Sequence, residues 1–180
     1  MADHSPSRRN VLRGALAAGV TTAAAVGAPG ALARGAVLSV NFTHGVASGD
    51  PLADRVILWT RALADGNSAD FFVYWSISER PDMGAPINGG FIRASADNDW
   101  CCKVDALGLA PGKTYYYQFL HRDRRSPVGI TKTLPVGDVA NVKLAFFSCS
   151  NHPKGFFNVY REAARRDDLN AVLHLGDYLY

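Results

Sequence analysis

The sequence predicts an all-β sandwich followed by a single βαβ unit, the opening of an α/β domain. Between about residues 42 and 135, short β-rich runs alternate with turn residues and show no helical period. From Val142 onward, two apolar runs flank one amphipathic segment, which is the pattern of strand, helix and strand. Two parallel strands cannot cover both their faces, so we interpret the chain as truncated within this second domain.

The amino terminus is typical of a bacterial export signal. Residues 7–13 read Ser-Arg-Arg-Asn-Val-Leu-Arg, a twin-arginine pattern, and a mildly apolar stretch leads to the small-residue site Ala31-Leu32-Ala33. We expect a signal peptide over residues 1–33 and export of the folded protein, by the twin-arginine machinery, to the periplasm or the exterior. The alternative is a membrane anchor, since residues 14–33 carry no charge. We expect no stable anchor, because large apolar side chains are few in this stretch.

Charge and cysteine content exclude two classes of protein. The net charge of +3 comes from 19 basic and 16 acidic residues, and the first 33 residues hold three arginines and one aspartate. The remaining 16 basic and 15 acidic residues form no basic patch, so we predict no nucleic-acid partner. Cys101, Cys102 and Cys149 are odd in number and two of them are adjacent, which argues against a disulfide framework.

Five β-rich runs make up most of the predicted sandwich, to which we assign residues 38–136. They lie at 55–61, 71–78, 91–94, 100–104 and 114–119, and turn signals such as the Asn-Gly-Gly at 88–90 separate them. We assign Trp59, Trp75 and Trp100 to packing, because aromatic residues at alternate strand positions are mostly core. Cys101 and Cys102 should point to opposite faces of their strand, one buried and one half-exposed.

The segment 109–115, Leu-Ala-Pro-Gly-Lys-Thr-Tyr, refines the class of sandwich. In fibronectin-type sandwiches, a Leu, a Pro and a Tyr at this spacing form a tyrosine corner. The phenol of Tyr115 should then bond a backbone group just upstream, and Leu109 should fill the core. We therefore predict a fibronectin/immunoglobulin-like sandwich.

The last part of the chain brings reactive side chains to adjacent strand ends. The apolar runs at 142–147 and 171–175 have the length of buried strands, and residues 155–166 have helical spacing with Phe156, Val159, Tyr160 and Ala163 on one face. Parallel strands joined in this way place their carboxyl ends side by side, where open α/β sheets hold their ligands. At those ends lie three residues with donor side chains: Cys149, Asp177 and Tyr180.

These three residue types indicate a metal site. Asp after Gly at a strand end is a common opening for a metal-bound phosphoesterase, because the strand fixes a carboxylate that can bridge two cations. A thiolate and a phenolate are not ordinary ligands for Mg²⁺ or Ca²⁺, and a phenol that titrates near 10 needs a strongly Lewis-acidic ion, for which Fe³⁺ is the natural candidate. The alternative is that Cys149 is a small buried hydrophobe and that Tyr180 packs.

Five blocks of the sequence resemble, in order, the PhoD-like alkaline phosphatase and phosphodiesterase family. The blocks are FTHGVASGDP at 42–51, VILWTR at 56–61, GLAPGKTYYY at 108–117, SC at 148–149 and HLGDYLY at 174–180. The resemblance implies an exported phosphomonoesterase and phosphodiesterase, with a metallophosphatase catalytic domain that begins at residues 140–180. It also implies that Cys149, Asp177 and Tyr180 bind Fe³⁺ and that Asp177 reaches a neighbouring Ca²⁺. The substrate would be a phosphate ester.

The donor set is incomplete in this chain, so we assign no catalytic residue. His44 and His121 fall in the sandwich, His174 should have a hydrogen-bonded role within its strand, and His152 is the histidine nearest to Cys149. Asn151 should lie near the cap of the helix. We expect the 180 residues alone to be inactive. Two other interpretations stay open: a secreted β-sandwich binding module without catalysis, and a small protein whose two half-sites join in a dimer.

Overall fold

The structure, a computed structural model, describes residues 39–66 and 69–177. The predicted signal peptide at 1–33 and the candidate ligand Tyr180 lie outside these residues. The described chain forms twelve strands: β1 Val40–Asn41, β2 Val46–Gly49, β3 Arg55–Arg61, β4 Leu63–Ala64, β5 Phe71–Ser78, β6 Asn88–Ala94, β7 Cys101–Leu107, β8 Thr114–His121, β9 Arg124–Arg125, β10 Gly129–Lys132, β11 Leu144–Phe147 and β12 Ala171–His174. The helix α1 spans Asn158–Ala164, and 3-10 turns occur at Ala96–Asn98 and His152–Lys154.

Strands β1 to β10 form antiparallel sheets, which we call the antiparallel region (residues 39–135). One sheet has the order β2-β3-β7, and the other has the order β10-β8-β5-β6 with β9 paired to β8. The short strands β1 and β4 pair separately. All five β-rich runs predicted from the sequence are strands here, and three of them extend by two to three residues at one end. The described residues are therefore mostly β-sheet with little helix.

The turn predicted at 88–90 is wrong, because these residues begin β6. Asn88 pairs with Ile77, Gly89 with Ser76 and Gly90 with Trp75. A Cβ on Gly89 would lie 2.6 Å from the Tyr74 hydroxyl and 2.8 Å from the Trp75 carbonyl oxygen. The glycine is thus required by the close approach of β5 rather than by a turn.

Alternate residues of both sheets meet in one core. On β3 the side chains of Val56, Leu58 and Thr60 are buried, and the residues between them are half-buried. The buried cluster joins side chains of β3 and β7 with those of β5 and β8, including Tyr115, Tyr117 and Phe119. Each such side chain contributes on the order of 1.5–3 kcal/mol when it is withdrawn from water, so this cluster supplies most of the stability of the region.

The tyrosine corner predicted at 109–115 is present. The backbone N–H of Ala110 donates to the Tyr115 hydroxyl at 2.8 Å, and Leu109 is buried in the core cluster. The phenol therefore closes the connection between β7 and β8 by satisfying a backbone donor that would otherwise lack a partner.

The predictions for tryptophan and cysteine side chains are confirmed with one correction. Trp75 is buried, and Trp100 packs against the core and stacks on Phe71 with ring centroids 5.5 Å apart. Trp59 is half-buried on the opposite face of β3, because the inward positions of that strand are the even-numbered ones. Cys102 is fully buried and Cys101 is partly exposed, as expected for neighbours on a strand.

Residues 142–177, which we call the parallel unit, follow the antiparallel region. Strands β11 and β12 are parallel, as predicted, and α1 lies between them in sequence. The helix is shorter than the predicted 155–166 because Gly155 has an extended backbone, and the segment before it forms a 3-10 turn. At its other end, Arg166 donates to Ala163 at 3.0 Å, which tightens the last turn.

The parallel unit has apolar strands but no apolar core within the described residues. Phe146, Phe156, Val172 and Leu175 are 57–91% exposed. Among the side chains described from 142 to 177, the one classed as buried is Ser150. No helix in the described ranges is long and apolar enough to cross a membrane.

Candidate metal centre

The carboxyl ends of β11 and β12 lie level with each other. Phe147 is the register partner of His174, and the N–H of Leu175 donates to the Phe147 carbonyl at 2.8 Å. Ser148 and Cys149 leave the first strand at this level, and Gly176 and Asp177 leave the second. The register alone therefore brings the two tips side by side, as the sequence predicted.

The two tips are joined by backbone hydrogen bonds and have an unusual conformation. Cys149 N–H donates to the Gly176 carbonyl at 3.1 Å, and Ser150 N–H donates to the Asp177 carbonyl at 2.7 Å. The φ angles of Cys149, Gly176 and Asp177 are 60°, 114° and 51°. Residues other than glycine seldom adopt a positive φ angle. For Cys149 and Asp177 this conformation costs about 1–3 kcal/mol each, and such strained residues cluster at functional sites.

This backbone brings the Cys149 and Asp177 side chains together. The Cys149 Sγ atom lies 3.7 Å from Asp177 Oδ2, and both side chains are exposed. Ligands that bind one ion at bond lengths of about 2.0–2.3 Å lie roughly 3–4 Å apart, so the observed separation fits a shared ion. The Cys149 thiol is placed to donate to this carboxylate, and a thiol that gives up its proton beside a carboxylate forms an anionic donor pair suited to a transition-metal ion. Two of the three predicted ligands are thus adjacent, whereas Tyr180 lies outside the described residues.

The described residues alone do not complete a coordination sphere. Nowhere in 39–66 and 69–177 do three or more His, Cys, Asp or Glu side chains form a group that could hold a metal ion. The ring of His44 contacts Thr43 and Arg61, and the Nδ1 of His121 lies 2.8 Å from the Phe72 carbonyl oxygen, both within the antiparallel region. These two histidines do not reach the tips.

His174 has the hydrogen-bonded role predicted for it. Its Nε2 atom lies 2.9 Å from the Tyr160 hydroxyl, and its Nδ1 atom accepts from the N–H of Gly176 at 3.3 Å. His152 lies in the 3-10 turn directly after the Cys149 tip. Asn151 caps this turn rather than α1, and its side chain makes no capping hydrogen bond.

A cleft of about 330 Å³ opens beside Cys149. Its lining runs along the chain from Phe147 to Tyr160 and includes Ser148, Ser150, Asn151 and Lys154. Sequence reasoning missed Lys154, Ser150 and Tyr160 as residues of this site. For Ser150 and Lys154 the available signal was the concentration of polar residues within five positions of Cys149 in a loop after a strand. No such local signal marked Tyr160, which lies on α1.

Comparison with known proteins identifies the family. The family described as "PhoD-like phosphatase, N-terminal domain" matches residues 29–135, and the family described as "PhoD-like phosphatase" matches residues 144–180. The chain belongs to the PhoD-like phosphatase family. The boundary between these two matches falls between the antiparallel region and the parallel unit.

Two relatives extend this result. Alkaline phosphatase D of Bacillus subtilis (strain 168) is 37% identical over 186 residues, which cover 96% of this chain and 32% of that protein. A solved structure described as "Structure of PhoD" matches with a TM-score of 0.74 at 39% identity, covering 77% of this chain and 28% of the other. The PhoD-like chain described here thus spans about a third of the length of these relatives.

Proposed function

We propose that this chain contributes the export signal, the N-terminal domain and the first part of the catalytic domain of a metal-dependent phosphoric ester hydrolase. Its substrates are phosphomonoesters and phosphodiesters. The observation that carries the proposal is the 3.7 Å separation of Cys149 Sγ and Asp177 Oδ2 at level strand ends. Membership of the PhoD-like phosphatase family supports the same function.

The proposal includes a domain assignment. Residues 1–33 are the twin-arginine signal, 38–136 a fibronectin/immunoglobulin-like sandwich and 140–180 the beginning of an α/β metallophosphatase domain. The tyrosine corner at Tyr115 and the core shared by two antiparallel sheets support the sandwich. The exposed apolar side chains on β11 and β12 support a larger sheet, because parallel strands are stable when both faces are covered. Export by the twin-arginine machinery would deliver the folded protein to the periplasm or the exterior.

The metal centre proposed here uses Cys149, Asp177 and Tyr180 as ligands of Fe³⁺, with Asp177 shared with a Ca²⁺. When bound, these two metal ions would neutralise the charge of the phosphate group and lower the pKa of a bound water. The chain itself contributes the geometry: the hydrogen bonds from Cys149 N–H and Ser150 N–H join the backbones of the two tips that carry the donor side chains. Such a preformed site loses less conformational entropy on binding.

Iron content tests the site directly. The full chain, dialysed against ferric citrate, should retain iron and show visible absorption from a ferric thiolate or phenolate, and Cys149→Ala or Asp177→Ala should remove both signals. Cys101→Ala is the matched control, because that cysteine is also partly exposed but lies on β7. Equal iron content in Cys149→Ala and Cys101→Ala would refute the assignment of Cys149.

The same preparations test turnover. We expect the 180 residues alone to hydrolyse neither a nitrophenyl phosphate monoester nor the diester, because the described residues supply two neighbouring donors and no complete metal group. Hydrolysis by the isolated chain that Asp177→Ala abolishes would contradict this expectation.

A further inference from the structure

A chain of side-chain hydrogen bonds connects the two tips through the helix between them. The hydroxyl of Tyr160 on α1 contacts the Ser150 hydroxyl on one side and lies 2.9 Å from His174 Nε2 on the other. His174 Nδ1 in turn accepts from Gly176 N–H at 3.3 Å. Ser150 follows Cys149 in sequence, and Gly176 precedes Asp177. The series of hydrogen bonds therefore begins and ends next to the two donor residues.

The contacts of His174 assign the proton on its ring. Because the Gly176 N–H donates to Nδ1, that atom carries no proton and the neutral imidazole carries its proton on Nε2. His174 then donates to the Tyr160 hydroxyl, and the Tyr160 and Ser150 hydroxyls share a hydrogen bond that either of them can donate. The contacts of His174 therefore define the position of its ring proton, and successive hydrogen bonds in such a network polarise one another.

Packing fixes Tyr160 at the centre of this chain. Its ring centroid lies 4.7 Å from that of Phe147 on β11, 5.5 Å from that of Phe157 and 6.2 Å from that of His174 on β12. Ser150, its partner, is 7% exposed. The strands of this unit carry exposed apolar side chains, but Ser150, next to Cys149, is withdrawn from water and contacts the Tyr160 hydroxyl.

We propose that Tyr160, together with Ser150 and His174, is a positioning residue that sets the separation between Cys149 and Asp177. Its hydroxyl group couples the two tips, because it contacts Ser150 of one tip and His174, which in turn accepts from Gly176 of the other. The consequence for metal binding rests on the function proposed above, whereas the coupling of the tips does not.

Amide hydrogen exchange of the metal-free full chain tests the coupling. Tyr160→Phe keeps the ring and removes the hydroxyl, and we expect the Cys149 and Ser150 amides to exchange about 2- to 10-fold faster, as for the loss of one ordinary hydrogen bond. Amides of the antiparallel region should keep their rates. Cys149 should also react faster with iodoacetamide. Mass spectrometry of the peptide that contains Cys149 measures this rate.

Two further variants make the test specific. Ser150→Ala removes the other end of the same hydrogen bond, so Tyr160→Phe should add little in the double variant. Tyr115→Phe is the matched control, since it removes a buried tyrosine hydroxyl from the antiparallel region and should leave the Cys149 and Ser150 amides unchanged. Unchanged exchange in both Tyr160→Phe and Ser150→Ala would overturn the proposal.

The spectrum of the iron-loaded chain separates this inference from the proposed function. If the metal centre exists as proposed, Tyr160→Phe should retain iron but shift the visible absorption band, because the thiolate and the carboxylate change their relative position. If the wild-type chain binds no iron and yet the two amides exchange faster in Tyr160→Phe, the coupling stands and the metal assignment fails. Retained iron with an unshifted band and unchanged exchange would refute the coupling alone.

Discussion

The two regions of this chain are stabilised in different ways. In the antiparallel region, inward-facing side chains of two sheets form a shared apolar core, and Leu58, Val73 and Phe119 are fully buried. In the parallel unit, Phe156 and Leu175 are 91% and 71% exposed, and among the side chains that the structure describes there, the buried one is the polar Ser150. Local order in the parallel unit therefore depends on hydrogen bonds and ion pairs more than on hydrophobic burial.

The candidate ligands lie in the region that has no apolar core among its described residues. The described residues of neither region group three donor side chains that could hold a metal ion, but in the unit without an apolar core the joined tips bring Cys149 Sγ to 3.7 Å from Asp177 Oδ2. Charged contacts support this unit as well. Asp168 lies between Arg166 and Lys143, which hold the pKa of its carboxyl well below the ordinary value. The apolar core that stabilises the fold and the side chains of the candidate site thus lie in different parts of the sequence.

The largest expected contrast between the regions comes from two leucine truncations. Leu58→Ala should lower the free energy of unfolding by about 2–5 kcal/mol, because Leu58 is fully buried and its loss leaves a cavity. Leu175→Ala should change it by less than about 0.5 kcal/mol, since that side chain is exposed. Denaturant unfolding followed by far-UV circular dichroism measures both changes, because both regions contain regular secondary structure. Equal losses in both variants would break the comparison.

A glycine pair tests how tightly the antiparallel region is packed. A Cβ on Gly129 would lie 2.3 Å from the Tyr117 ring, so Gly129→Ala should cost about 1–3 kcal/mol through overpacking. Gly49→Ala is the control on β2, where an added Cβ meets no atom within 4 Å. Thermal unfolding should show a clear decrease in Tm for the first variant and little change for the second. A Gly129→Ala protein as stable as the wild type would mean that the Tyr117 ring can move.

Alkaline pH should weaken the antiparallel region. Burial raises the pKa of Cys102 to about 11 and that of Tyr117 to about 12, from ordinary values of 9.0 and 10.0. The unfolded chain therefore loses these protons first, so stability is complete below about pH 9 and falls as the pH rises toward 11 and 12. We expect a loss on the order of 1–3 kcal/mol at pH 11, measured by circular dichroism during denaturant unfolding. Tyr117→Phe should flatten the curve above pH 10, and a wild-type midpoint constant to pH 11 would contradict the prediction.

The sequence predicted the strands better than the connections between them. The β-rich runs at 55–61 and 71–78 reproduce the bounds of β3 and β5, and burial on one face gives β3 a period of two. The Gly89-Gly90 pair misled the turn prediction, since local composition does not reveal that Tyr74 and Trp75 approach the backbone of β6. The helix was predicted too long because an apolar period is present at Phe156 although Gly155 is extended.

The sequence predicted which candidate ligands lie together, but it did not predict the residues that hydrogen-bond around them. The ends of two parallel strands predicted that Cys149 and Asp177 would lie together, and they do. The role of Tyr160 was hidden because a tyrosine on the apolar face of a helix has the same pattern whether its hydroxyl is bonded or not. Its partners Ser150 and His174 come from different strands, and their convergence depends on register and on the helix position, which no local pattern encodes.

The level ends of β11 and β12 restrict how this part of the chain can change length. Removing one residue from either strand would move the following tip by about 3.3 Å and turn its side chains to the other face of the sheet. Asp177 would then lie beyond the reach of Cys149, even with every donor residue retained. Insertions and deletions should consequently be far less tolerated between Leu144 and Cys149, and between Ala171 and Asp177, than in the loop that leads from α1 to β12.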